Sequence, residues 1–202
     1  VFMFIVITGL DGSGTSTIAE KLHKLDAGSI LLHTPSNEYE GRKIIDTSVY
    51  NISTMAHYLY YLSSVSYTSD YIKKYIDINT TNVYCVRYLI DTVVSHRVAG
   101  LDIVQDYSTY NLLEPDMTIF VKLDEDERKK RIDIRGKSTL DKILDDPIKR
   151  EKFIKEFAYQ LNNYHVLDNG KDDIDKQIEC LYNEIICNKD NFKKLIGIDI
   201  EV

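Results

Sequence analysis

The stretch "FMFIVITGLDGSGTST", residues Phe2–Thr17, decides how the rest of the chain is read. Its first half, Phe2–Thr8, is a run of β-branched and aromatic residues too short for a helix, which predicts a core strand. Its second half sets Gly9 and Gly14 in the frame of a phosphate-binding loop, G-x-x-x-x-G-K-S/T, with Thr15 where the lysine is expected. A glycine-rich turn between strand and helix gathers backbone N–H groups at the helix N-terminus, where an anion is favoured. Gly9, Gly12 and Gly14 allow close backbone approach, and Ser16 or Thr17 offers a hydroxyl to cap the helix or to ligate Mg²⁺. The competing reading is a tight strand–helix turn capped by Ser16 with no ligand.

Outward from this loop, apolar runs recur at Val83–Val86 and Met117–Leu123, with weaker ones at Ser29–Thr34 and His165–Asp168. Between them lie helical patterns at Thr17–Leu25, Ser53–Ile76, Asp91–Ala99 and Glu125–Arg135. A further run begins at Pro147, and a last one carries Ile174, Ile178, Leu181 and Ile185 on one stripe. Continuous apolar strands separated by helices indicate a parallel sheet covered on both faces, an α/β architecture. No linker or repeat divides the chain, so residues 1–202 read as one domain. Ligands of such sheets sit beyond the C-terminal strand ends, which directs attention to Thr8–Thr17, Thr34–Asn37, Arg87–Tyr88, Lys122–Asp124 and Arg128–Lys137.

A net charge of -7 argues against a general nucleic-acid surface, while leaving room for a local basic pocket. No apolar stretch has the length of a membrane span, and "VFMFIVITGL" lacks the basic lead-in of a signal segment. Cys85, Cys180 and Cys187 form no C-x-x-C pair, which fits a reducing, cytoplasmic setting. His23, His33, His57, His96 and His165 show no metal-ligand spacing, and there is no G-x-S-x-G elbow.

The phrase "FIVITGLDGSGTSTIAEKL" resembles the opening of thymidylate kinases, whose loop reads G-x-D-G-x-G-K-S/T-T. The resemblance continues in "TPSNEYEGRKII" (Thr34–Ile45), "HYLYYLSSVSY" (His57–Tyr67), "VYCVRYLIDTVVSHR" (Val83–Arg97) and "EPDMTIFVKLDEDERKKRIDIRG" (Glu114–Gly136). It implies a P-loop kinase domain with a parallel five-stranded sheet and a small lid at approximately residues 131–146. It also implies ATP and Mg²⁺ as cofactors, a nucleotide or related acceptor, and a homodimer contacting through Ser53–Ile76. The donor would lie on Gly9, Asp11, Gly12, Ser13, Gly14, Thr15, Ser16 and Thr17, with Ser16 on the metal. Arg87, Arg131 and Arg135 would neutralise the transferring group. Asp11, Pro35, Tyr61, Arg87, Tyr88, Ser95 and His96 would meet the acceptor, Tyr61 by stacking on its base. Arg42, Asp91 and Arg97 are further cleft candidates.

Five departures bear on the activity. Thr15 replaces the loop lysine and Val86 the aspartate of D-R-Y. Asn37 and Val65 stand at the expected places of acceptor-phosphate arginines, and Lys122 at an aspartate position. Removing one preorganised charge contact commonly costs about 10²–10³ in rate. The expected acceptor is therefore not dTMP itself, and Lys122, Arg131, Arg135 and Lys137 become candidate replacement cations. The run Arg128–Lys130 reads instead as a solvated face. Two alternatives stay open: a degenerate homologue that binds a nucleotide or serves as a structural partner, and a P-loop protein with chemistry on an unrelated metabolite.

Overall fold

The computed structural model describes residues 3–77, 80–137 and 139–195. Phe2, at the predicted start of the first strand, and Ser138, inside the predicted lid, lie outside the described residues, as do the ends of the predicted domain at 1–2 and 196–202. Five strands form one sheet: β1 (Phe4–Thr8), β2 (Ile30–His33), β3 (Val83–Val86), β4 (Met117–Lys122) and β5 (Tyr164–Asp168). Their order is β2-β3-β1-β4-β5, and every pairing is parallel. β1 and β3 lie centrally, and every residue in them is buried, as their unbroken apolar sequences require. The edge strands β2 and β5 are half-exposed, which is why their sequence signals are weaker.

Successive β1 side chains feed opposite cores. Phe4 and Val6 pack against α3 (Thr54–Tyr75), α4 (Leu89–Val98) and α7 (Pro147–Gln160) through Leu62, Val65, Val93, Phe153 and Phe157. Ile5 and Ile7 pack against α1 (Thr15–Leu25) and α8 (Ile174–Leu195) through Ile18, Leu22, Ile178 and Ile185. Three helix starts are fixed by side-chain caps. Ser53 accepts from Ala56 N, Asp124 from Asp126 N and Glu127 N, and Asp146 from Ile148 N and Lys149 N ahead of Pro147. Asp124 thereby opens α5 (Glu125–Arg135).

The sequence pattern missed three short segments. A turn of α-helix, α2 (Arg42–Ile44), runs into a π-helical turn at Ile45–Val49, and α6 (Thr139–Leu144) follows α5. None is long enough to show a periodic stripe. α1 also begins at Thr15, two residues earlier than its pattern suggests. Gly14 at its cap makes no side-chain hydrogen bond, so the capping role expected of Ser16 is not used. Among the described residues, no helix is long and apolar enough to cross a membrane.

Candidate active site

The C-terminal ends of β1 and β3 bring the glycine loop and Arg87 together. Arg87 occupies the left-handed region with φ 69, a conformation that costs a non-glycine residue about 1–3 kcal/mol and collects at functional sites. That turn aims the guanidinium back across the sheet end. It donates to Gly9 O, to Asp91 Oδ1 at 2.6 Å and to Asp11 Oδ1 at 2.6 Å. Asp91 also accepts from Thr8 Oγ1 at 2.7 Å and from Tyr88 N at 3.1 Å. Burial opposes the charge on Arg87, but the Asp91 and Asp11 carboxylates outweigh it and hold the side chain protonated.

The loop itself depends on its glycines. At Gly12, φ is 86 and an added Cβ would sit 2.8 Å from Ile132 Cγ1; at Gly14, φ is 97 and a Cβ would sit 2.2 Å from Asn169 Nδ2. Asn169, just past β5, donates to Ser13 O at 2.7 Å and so ties the loop to the far side of the sheet. Above the loop lies α5. Arg131 has its Nη1 3.2 Å from the position a Gly14 Cβ would take, and it donates to Asn169 O at 3.4 Å. Arg128 is 1% exposed, pairs with both oxygens of Glu125 and donates to Asp11 O at 2.9 Å. The expectation that Arg128 belongs to a solvated face is thus overturned: one turn of α5 packs on Gly12, and only an arginine long enough to reach the loop carbonyl satisfies that contact.

A cavity of about 450 Å³ opens beside this cluster. Every acceptor-side residue expected from sequence lines it: Asp11, Pro35, Tyr61, Arg87, Tyr88, Ser95 and His96. Thr34–Pro35 is a cis peptide at its rim. Arg42 and Asp91, the further candidates, also line it, whereas Arg97 pairs with Glu156 at 2.5 Å and does not. Tyr61 OH donates to Asp46 Oδ1 at 2.6 Å, and Arg42 stands 6.0 Å from the Tyr61 ring centroid. His57 and Asp46 complete this end; neither has a site role assigned from the sequence, although His57 opens the stretch His57–Tyr67. Lys149, Lys152, Phe153 and Phe157 of α7 form another wall.

Other expected positions fall elsewhere. Val65 is fully buried in the core, and Asn37 lines a separate groove with Leu31, His33, Tyr67 and Tyr71. Neither is among the cavity's lining residues, so their neutrality removes no charge from it; Arg42, Arg87, Lys149 and Lys152 supply cations there. Val86 is buried, and Lys122 is exposed at the end of β4. Arg135 pairs with Asp141 at 2.6 Å and Lys137 with Asp145 at 2.9 Å, so both bind within residues 131–146 and do not line the cavity. Thr15 is buried, while Ser16 and Thr17 are exposed at the start of α1.

The loop passes the chemical test for a nucleotide phosphate. The first-turn amides of α1 have no side-chain cap, and the Ser13 hydroxyl is buried with no hydrogen-bond partner among the described residues. Ser16, exposed at the start of α1, would be the residue to hold Mg²⁺, an ion that would supply charge neutralisation during phosphoryl transfer. No group of three or more His, Cys, Asp or Glu side chains that could hold a metal occurs among the described residues.

Comparison with known proteins agrees with this geometry. The thymidylate kinase family model matches residues 7–185. A thymidylate kinase of Mycoplasma capricolum subsp. capricolum is 28% identical, covering 91% of this chain and 92% of its own length. A probable thymidylate kinase of Methanocaldococcus jannaschii is 31% identical over 91% of this chain and 94% of its own. Among solved structures, the thymidylate kinase of Candida albicans aligns with a TM-score of 0.71 at 22% identity, over 93% of this chain and 92% of that one. A deoxyadenosine kinase from M. mycoides, solved with bound dATP, aligns with a TM-score of 0.65 at 24% identity, over 91% and 98%. The loop, the sheet and these matches agree: the chain belongs to the thymidylate kinase family.

Proposed function

We propose that this chain is a phosphotransferase that moves the γ-phosphate of ATP, with Mg²⁺, to a nucleotide or related small acceptor. The observation that carries this reading is the strained Arg87, whose guanidinium joins the glycine loop to the cavity through Gly9 O, Asp11 and Asp91. Donor phosphates rest on the amides of Gly12–Ser16, and Arg87 faces the transferring group from the cavity side. Arg131, lying over Gly14, takes up charge that the absent loop lysine does not. Tyr61 offers its ring face to the acceptor base, and Arg42, Lys149 and Lys152 line the space an anionic acceptor occupies. Transfer of this kind works by positioning and charge neutralisation in a site closed to water, which gives the segment at residues 131–146 a lid's role. The reaction belongs in the cytoplasm, and a homodimer contacting through α3 follows the family's habit.

Thr15 supports a second reading, in which nucleotide binds and transfer is slow or absent, because a buried threonine cannot follow β- and γ-phosphate charge. Calorimetry with ATP–Mg²⁺ and ADP, then a transfer screen over nucleosides and monophosphates, separates the two. The first reading expects binding and transfer to at least one acceptor; binding without transfer selects the second. Failure of ATP to bind at millimolar concentration sinks both.

A further inference from the structure

Past the Arg87 cluster, the cavity wall contains a run of hydrogen bonds whose polarity can be assigned atom by atom. His96 Nδ1 lies 2.6 Å from Thr92 O, and a carbonyl only accepts, so Nδ1 carries the proton. Burial pushes the His96 pKa down to about 4, which leaves the ring neutral and its Nε2 a bare acceptor. His57 Nδ1 stands 2.7 Å from that nitrogen and therefore donates to it. On its other side, His57 Nε2 stands 3.0 Å from Asp46 Oδ1, an oxygen that already accepts from Tyr61 OH at 2.6 Å. Burial works against the Asp46 charge, yet hydrogen bonds from His57 and Tyr61 and the nearby Arg42 charge keep its carboxyl below the ordinary range. Both neighbours of His57 are acceptors.

No neutral tautomer of His57 satisfies both. A proton on Nδ1 alone sets the Nε2 lone pair against the Asp46 carboxylate, and a proton on Nε2 alone sets two imidazole lone pairs against each other. The surroundings restrict escape. The rings of His96, Tyr50 and Tyr61 each lie 4.9 Å from the His57 ring, and Tyr58 packs on His96 at 5.3 Å. Facing His57 are thus Asp46 from the π-helical turn, Tyr50 just after it, Tyr61 from α3 and His96 from α4. Arg42 acts from α2 through Tyr61 and Asp46. Burial raises the phenols of Tyr58, to about 12, and of Tyr61, so these two stay neutral.

We propose that His57, held as a cation between Asp46 and His96, is a positioning residue that sets acceptor specificity through the number of protons it carries. With both protons it fixes Asp46, Tyr61 and the His96 edge in one arrangement. Loss of one proton breaks the run at Asp46 or at His96 and frees the Tyr61 ring to turn. Two cations, His57 and Arg42, against the single carboxylate of Asp46 favour an acceptor that presents lone pairs to this wall. The class is a nucleobase edge bearing carbonyl oxygens or unprotonated ring nitrogens. The proposal rests on the phosphotransferase reading in taking this cavity as the acceptor's.

The test uses the full chain labelled with ¹⁵N-histidine, with His57→Gln to assign the ring, titrated from about pH 5.5 to about pH 8.5, where histidine ordinarily changes charge. The expected result is a doubly protonated His57 at the acid end, a single deprotonation step, and a neutral Nδ1–H His96 throughout. Asp46→Asn removes the anion and converts His57 to a neutral Nδ1–H ring, with circular dichroism melts confirming the fold; this variant carries the test alone should His57→Gln not fold. A neutral His57 at the acid end, or an unchanged pattern in Asp46→Asn, overturns the proposal. Calorimetry with thymidine and deoxyadenosine, neither of which changes charge in this range, then reads the consequence. The nucleoside that binds weakens about tenfold across the His57 transition as the Asp46–Tyr61 wall loosens, whereas its affinity for Asp46→Asn stays level over the same range. A probe that binds equally at both ends overturns the specificity role alone. Absence of binding by every probe overturns the acceptor reading and this proposal together.

Discussion

The proposed donor and acceptor ends of the site, the glycine loop and the cavity beside it, are built by different means. At the donor end, one contiguous stretch, Gly9–Thr17, makes the site largely from backbone, and Arg87 and Asn169 fasten it to the neighbouring strands. At the acceptor end, side chains from α2, a π-helical turn, α3 and α4 meet, and Asp46, His57, Tyr61 and His96 hold one another. A backbone site is fixed by where glycine is tolerated, whereas a side-chain site is fixed by which polar atoms can satisfy each other. The first constrains sequence strongly and the second allows many solutions, which is why relatives sharing the fold can differ in acceptor.

The comparison is tested most severely at Arg87, whose guanidinium touches both ends. Arg87→Ala is expected to lower the transfer rate by about 10²–10³, the usual cost of one preorganised charge contact. The variant should retain its far-ultraviolet circular dichroism. A transfer rate unchanged by the substitution, measured on any acceptor the screen yields, would break the link between the two ends. Next comes Gly14→Ala, which forces alanine to φ 97 and its Cβ to 2.2 Å from Asn169 Nδ2. The expected loss is about 3 kcal/mol in urea unfolding, together with weaker ATP–Mg²⁺ binding, since both the left-handed strain and the displaced Asn169 contact contribute. Adding Asn169→Ala should recover part of the stability, by relieving the clash but not the strain.

The same contrast explains what could be read from sequence. The strands β1, β3 and β4 are legible because parallel central strands are apolar without interruption, and the loop because Gly9, Gly12 and Gly14 sit where only glycine fits. Tyr61, Ser95 and His96 were reachable through the family resemblance, and the structure brings them to one cavity. Asn169 had a weak signal, being next to the C-terminal end of a strand, where such sheets hold ligands. Arg128 had the same positional signal, but its neighbours Glu127, Lys129 and Lys130 are surface charges, and three-dimensional packing against Gly12 is what singles it out. His57 and Asp46 were silent, because each acquires its role from a partner far along the chain or on a different element. Asn37 and Val65 show the converse error, in which a position carried over by register turns out not to line the cavity at all.

The acceptor end also carries a stability signature that the donor end lacks. His96 is 2% exposed, and burial lowers its pKa to about 4, below the unfolded value. Above an unfolded pKa of about 6.5 both states are neutral and the contribution is complete. As pH falls from there toward 4, the unfolded chain takes up the proton and the folded one does not, so stability declines through that window. At about 1.4 kcal/mol per pH unit, the loss is on the order of 2–3 kcal/mol. Asp46, whose carboxyl is held low, adds its own loss only at lower pH, beneath the ordinary carboxylate value. Urea midpoints at about pH 7 and pH 4.5 measure the effect, and His96→Asn should flatten it within the histidine window. An unflattened profile in that variant would assign the acid sensitivity elsewhere.

The smallest effect is expected at Thr15, and it asks whether the donor end is complete without its lysine. Thr15 opens α1 and is buried, so a lysine there must extend its stem along the helix start before its ammonium reaches the loop. Arg131 already stands over Gly14, close to where that ammonium would come to rest. Two cations at one phosphate site repel, and the second adds less than the first. Thr15→Lys should therefore tighten ATP–Mg²⁺ by no more than about tenfold, some 1.4 kcal/mol, with the acceptor's apparent affinity unchanged. The double variant Thr15→Lys, Arg131→Gln should then bind ATP about as well as the native chain, whereas Arg131→Gln alone should bind it more weakly. Calorimetry on the three variants decides the matter. A large gain from Thr15→Lys in the presence of Arg131, or no loss from Arg131→Gln, would show that α5 lends no charge to the loop. The donor end would then be the weaker half of the site, and binding without transfer the better reading of the molecule.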